Sequence, residues 1–126
     1  MALGRNTIHK LGKRIRDAYG DGSGKVDSKD LEMLQEYRLS FRDDIGEVFN
    51  ILNSISKRVD KNSIVTYRIK RINSIIEKLK RFPQAGLENF IDIAGCRCIT
   101  ANNECVNQIV KKLRNHPKLN VSQIKD

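Results

Sequence analysis

The sequence has no tryptophan, only two prolines, two histidines and three cysteines, and 6% aromatic residues. Each shortage removes a class of explanation. Few rings leave few platforms on which single-stranded bases could stack. The only histidines are His9 and His116, and the cysteines Cys96 and Cys98 are spaced C-x-C rather than in the C-x2-C pairs usual for structural zinc. Buried small hydrophobes are the expected role for these thiols. An odd number of cysteines, behind an N-terminus with no apolar signal-peptide core, fits a reducing, cytoplasmic setting. No apolar run approaches the roughly 18 residues of a membrane-spanning helix, so no membrane partner is expected.

What is abundant is positive charge: 24 Lys and Arg against 15 Asp and Glu, a net +9. Most of the excess lies in residues 57–81, which hold nine basic residues and two acids, Asp60 and Glu77. A local basic field attracts a polyanion such as a nucleoside triphosphate or a nucleic acid, although charge runs are often only solvated faces.

Apolar spacing sets the elements. Ile8, Leu11, Ile15 and Ala18 make a helical stripe over residues 5–19, and Gly20 to Gly24 break it. Asp27 or Ser28 can cap a second, long helix with the stripe Leu31, Leu34, Phe41, Ile45, Val48, Leu52, Ile55 and Val59. Arg38 occupies the one slot of that stripe that should be apolar. A coiled-coil dimer would share this period, so an oligomer is compatible, but Phe41, Phe49 and Gly46 suit a globular contact better. Residues 63–70 alternate and are β-branched, which predicts a strand. A helix follows over 72–82 and stops at Pro83. A second strand is expected at Gly95 to Thr100, then a helix capped by Asn102 or Asn103 with Val106, Ile109, Val110 and Leu113 on its face. A third strand is expected to begin at Val121 to Ile124.

Positions 19–30 imitate a calcium loop, with Asp21, Ser23, Asp27 and Asp30 as oxygen donors. Tyr19 stands where the first carboxylate belongs and Asp30 where a longer Glu should close the site, so a turn between helices is the better reading.

One constellation carries chemistry. Arg68 and Lys70, two apart on a strand end, share a face, and Ser74 and Lys78, four apart on the next helix, share another. Strand, turn and helix N-terminus converge these groups, with free N–H groups and a positive dipole end, where a triphosphate would fit. Asp92 falls just before the next strand, where a carboxylate beside phosphates could hold Mg2+. Arg97 can pair with a carboxylate to fix local structure. Solvated edge-strand charges and a turn acid are the alternatives.

The run Arg68-Ile69-Lys70-Arg71-Ile72-Asn73-Ser74-Ile75-Ile76-Glu77-Lys78, followed by Asp92-Ile93-Ala94-Gly95-Cys96-Arg97, resembles the RelA/SpoT synthetase family. The family patterns are R-x-K-x3-S-I-x2-K and D-[IL]-x-[AG]-x-R. The resemblance implies an α+β fold, nucleotidyltransferase-like (DNA polymerase beta-type), with a mixed sheet, N-terminal helices over residues 1–60 and the front half of the synthetase domain over 61–126. It implies transfer of the β,γ-pyrophosphate of ATP to the 3′-hydroxyl of GTP or GDP, giving (p)ppGpp, or, in toxic relatives, to the 3′ end of tRNA. On that resemblance Arg68 would contact adenine; Lys70, Ser74 and Lys78 would hold the ATP phosphates; Asp92 would be the catalytic Mg2+ ligand; and Arg97 would be a supporting residue.

The resemblance has gaps. Ala101 to Cys105 carry no arginine where many members complete an adenine sandwich. The later acidic residue and the Tyr- and His-bearing acceptor segment of the family are not found before Asp126, and residues 1–59 leave no room for a preceding hydrolase domain. The sheet is therefore expected to be incomplete at its C-terminal side, and the chain alone to bind Mg-ATP weakly without turnover. A basic nucleic-acid-binding module, or a regulator that binds ATP without reaction, is the competing reading.

Overall fold

The apolar periods build the expected succession of helix and strand in the computed structural model, which describes residues 3–20 and 24–121. The elements are α1 (Arg5–Gly20), α2 (Ser28–Leu39), α3 (Arg42–Val59), β1 (Ile64–Ile69), α4 (Ile72–Arg81), a 3-10 turn (Leu87–Asn89), β2 (Ala94–Ile99) and α5 (Asn103–Arg114). The class is mixed α+β, and β1 and β2 pair antiparallel as a two-stranded sheet. No further strand occurs among the described residues, so the sheet described is two-stranded and not mixed. Of the expected third strand only Val121 is described, and it is not in a strand.

The single long helix expected from Asp27 to Val59 is also corrected: it is two helices, broken at Ser40–Phe41. Ser40 turns its hydroxyl back onto the Tyr37 carbonyl at 2.5 Å, one way in which serine competes with helical hydrogen bonding. Phe41 meets Tyr37 edge-on, with ring centroids 5.2 Å apart. Asp43 and Asp44 then stand in the first turn of α3, where negative charge favours a helix start.

The chain forms two compact units that interleave in sequence: Met1–Asp44 with Arg68–Gly95, and Ile45–Tyr67 with Cys96–Asp126. They do not follow a division at residue 60, because the partners of α1 lie beyond it.

In the first unit Ile8, Leu11 and Ile15 of α1 are fully buried with Leu34, Ile75, Leu79, Leu87 and Ile93. Gly12 lets the α1 backbone come close to the 3-10 turn: a Cβ there would lie 2.7 Å from the Cβ of Leu87. Arg16 reaches across to the end of α4, donating to the carbonyls of Leu79 (2.8 Å), Phe82 (3.1 Å) and Ala85 (2.5 Å). The last carbonyls of a helix lack partners within it; Arg16 supplies one for Leu79 in the last turn of α4 and ties the loop after it through Phe82 and Ala85. Two more contacts fix α1 to the turn, Arg5 donating to Asn89 and His9 pairing with Glu88 at 2.7 Å.

In the second unit Leu52 and Ile55 of α3 pack with Ile109 of α5, flanked by Val65, Cys96, Cys98 and Leu113. Alternation along β2 puts Cys96 and Cys98 on this apolar side and Arg97 and Ile99 on the exposed one. All three cysteines are free thiols, and burial raises the pKa of Cys96. Asn102 caps α5, its side chain accepting from the Cys105 amide at 2.9 Å.

Candidate functional site

The site lies within the first unit, where β1 ends and α4 begins. Strand pairing continues one step past β1: the Lys70 N–H donates to the Ile93 carbonyl at 2.6 Å. That bond brings Lys70 beside the residue next to Asp92. Helix α4 starts immediately afterwards, with Arg71 extended at its N-cap and making no side-chain cap hydrogen bond. The first-turn amides are therefore left without a side-chain acceptor, an arrangement suited to an anion. Ile75, Ile76 and Leu79 face the core, which turns Ser74 and Lys78 the other way.

Lys70 Nζ lies 2.6 Å from one carboxylate oxygen of Asp92 and Lys78 Nζ 2.8 Å from the other. The Lys78 ammonium also sits over the Phe90 ring, 4.8 Å from its centroid. Burial pushes the Asp92 carboxyl upward, but hydrogen bonds and charge from Lys70 and Lys78 outweigh it and hold it at about 2. Asp92 is thus a firmly ionised carboxylate between two ammonium groups. An open pocket of about 850 Å³ spreads over it, lined by Arg68, Lys70, Ser74, Lys78 and Asp92 together with Arg71, Asn73, Glu77, Arg81 and Phe82.

All five residues assigned from the sequence to nucleotide and metal thus line one pocket. Arg97 is the exception: it belongs to the second unit, is exposed on β2, and forms no ion pair among the described residues. Sequence reasoning missed Arg71 and Arg81. The signal for Arg81 was available, since Ser74, Lys78 and Arg81 follow the four-then-three spacing of one helix face. Glu77 is engaged with Lys80 at 3.4 Å.

The donor set fits Mg2+ only as a single carboxylate working with substrate phosphates. Among the described residues no cluster of three or more His, Cys, Asp or Glu side chains could hold an ion alone. Mg2+ commonly binds through one or two carboxylates and phosphate oxygens. The calcium-like segment has other uses. Asp27 caps α2, accepting from the Lys29 amide at 2.9 Å, and Asp30 pairs with Arg14 at 3.0 Å. Asp21 and Ser23 lie outside the described residues. No helix among the described residues is long and apolar enough to cross a membrane.

No curated protein matches the chain. Residues 67–126 match the family RelA_SpoT, described as "Region found in RelA / SpoT proteins". That span begins one residue before Arg68 and takes in every residue lining the pocket, so the match falls on the segment that builds this site and is consistent with a RelA/SpoT-type domain.

Proposed function

We propose that the pocket is a Mg-ATP site and that the chain contributes it to a pyrophosphokinase reaction, moving the β,γ-pyrophosphate of ATP to the 3′-hydroxyl of GTP or GDP to form (p)ppGpp. The observation that carries this reading is the convergence of Lys70 and Lys78 on Asp92, at 2.6 and 2.8 Å, beside the uncapped start of α4.

Transfer of this kind makes a bond from the acceptor oxygen to the β-phosphorus and breaks the bond from that phosphorus to the α,β-bridging oxygen, so AMP leaves and the hydroxyl proton passes to solvent. Such chemistry depends mainly on positioning and on neutralising phosphate charge. Lys70 and Lys78 would exchange Asp92 for phosphate oxygens, and the α4 amides with the Ser74 hydroxyl would take others. Asp92, freed from the lysines, would hold the Mg2+ ion, which supplies charge neutralisation across the phosphates. Arg68, exposed at the end of β1, would lie against the adenine. Location in the cytoplasm and any assembly into oligomers belong to the same proposal.

The test is equilibrium binding of Mg-ATP to the chain, followed by incubation of the chain extended to its native C-terminus with γ-labelled ATP, Mg2+, GDP, GTP and uncharged tRNA. Binding is expected to fall about ten-fold or more in Lys78→Ala and in Asp92→Ala, on the scale of a lost charge-assisted contact. Label reaching a guanosine nucleotide identifies the acceptor proposed here, and label reaching tRNA the toxin-type alternative. Retention of RNA at low salt that survives Asp92→Ala, without ATP binding, would replace the proposal with a non-catalytic nucleic-acid-binding module.

A further inference from the structure

Arg38 interrupts the apolar stripe of α2, and its side chain is half-buried. Its Nε donates to the main-chain carbonyl of Lys70 at 2.7 Å, and its Nη1 reaches Gln35 at 3.5 Å. No carboxylate pairs with it among the described residues. A half-buried guanidinium is thus committed to one backbone oxygen, and that oxygen belongs to a residue of the candidate site.

Lys70 follows the last residue of β1 and precedes the N-cap of α4, so neither a strand ladder nor a helix provides a donor for its carbonyl. Its N–H is held by the Ile93 carbonyl at 2.6 Å and its C=O by Arg38. Both ends of the residue are therefore fixed, one to the neighbour of Asp92 and one to α2. The Lys70 ammonium, 2.6 Å from Asp92, hangs from this doubly anchored backbone.

We infer that Arg38 is a positioning residue for the polyphosphate site, setting where the Lys70 ammonium stands relative to Asp92 from a helix that lies outside the matched span 67–126. The inference rests on the proposal that Lys70 receives nucleotide phosphates. An apolar residue at position 38 would complete the stripe but would leave the Lys70 carbonyl without its donor and the end of β1 free to shift. Displacements of about 1 Å at such a site can cost two orders of magnitude in function.

The experiment uses the full chain, inorganic tripolyphosphate as the probe, and residue-resolved amide exchange. In Arg38→Gln, tripolyphosphate affinity is expected to fall about ten-fold, the scale of a lost hydrogen bond from a charged group. Exchange at the Lys70 amide should speed up while Leu11 and Ile15 in α1 keep their protection. Arg38→Lys retains a donor and should stay within about three-fold of the unsubstituted chain. The inference is overturned if Arg38→Gln leaves the affinity unchanged while Lys70→Ala lowers it. It is equally overturned if Leu11 and Ile15 lose protection in step with Lys70, since Arg38 would then only hold the fold together. If Lys70→Ala itself leaves affinity unchanged, the nucleotide reading fails; the anchoring role of Arg38 then stands or falls on the Lys70 amide exchange alone.

Discussion

The two units differ in how thoroughly they bury what they are made of. In the first, eight residues spread over α1, α2, α4, the 3-10 turn and the approach to β2 are at most 2% exposed. In the second, the buried hydrophobic core is Leu52, Ile55 and Ile109, at 5–8% exposure. The candidate site is built on the first. A cradle of like charges needs rigid support, because Lys70 and Lys78 can be held together only if the elements carrying them cannot drift apart. The close packing of Ile75, Ile76 and Leu79 gives α4 that support.

The contrast can be broken most forcefully in the first unit. Leu11→Ala should cost about 2–5 kcal/mol, since Leu11 is fully buried on every side. The matching truncation of exposed apolar surface in the second unit, Ile99→Ala, should stay within about 0.5 kcal/mol. Chemical denaturation of both variants measures the difference, and equal losses would show that the contrast in burial has no energetic counterpart.

Gly12→Ala sharpens the same comparison. Alanine should favour the helix by about 1 kcal/mol, yet its Cβ would press to 2.7 Å from Leu87. Overpacking costs about 1–3 kcal/mol, so a net loss of stability is expected, and a rise in Tm would contradict the close approach of α1 to the 3-10 turn.

The smallest effect concerns pH. The Asp92 carboxyl is lowered from 3.8 to about 2. A carboxyl with a depressed folded-state pKa contributes stability that is present in full above its unfolded value and lost as pH falls through the folded one. The window is therefore from about pH 3.8 down to about 2. The Asp92 side chain is 38% exposed, so solvent screens the pair and the contribution is modest. Asp92→Asn should flatten the dependence of Tm on pH within that window and leave it unchanged from pH 5 to 7.

Much of this was legible beforehand because it depends on local spacing. The stripe of Ile8, Leu11 and Ile15, the alternation of residues 63–70 and the stop at Pro83 are short-range patterns, and each forms its expected element. Lys70, Ser74, Lys78 and Asp92 could be grouped because a strand, a short turn and a helix fix their directions over a few residues. The break at Ser40 was hidden, since Phe41 and Ile45 keep the apolar period on both sides of it while the interruption comes from a serine hydroxyl and a ring contact. The interleaving of the units was hidden for a different reason. Nothing near Arg16 in sequence announces that its guanidinium will close the end of a helix more than sixty residues away. Arg38 lay between these cases, visible as an anomaly in the stripe but without a partner until Lys70 was placed.

The reach of Arg16 has a consequence in time. α1 leaves the ribosome well before the groups it holds: the carbonyls taken by Arg16 are 63 to 69 residues downstream, and the partners of His9 and Arg5 are 79 and 84 residues downstream. At a synthesis rate of roughly 5–20 residues per second, the stripe of Ile8, Leu11 and Ile15 spends several seconds with only α2 available to cover it, before α4 and the 3-10 turn are made. Contacts so distant in sequence are also slow to close once the chain is complete. The helix that fastens α4 and the 3-10 turn is thus made well before either of them exists.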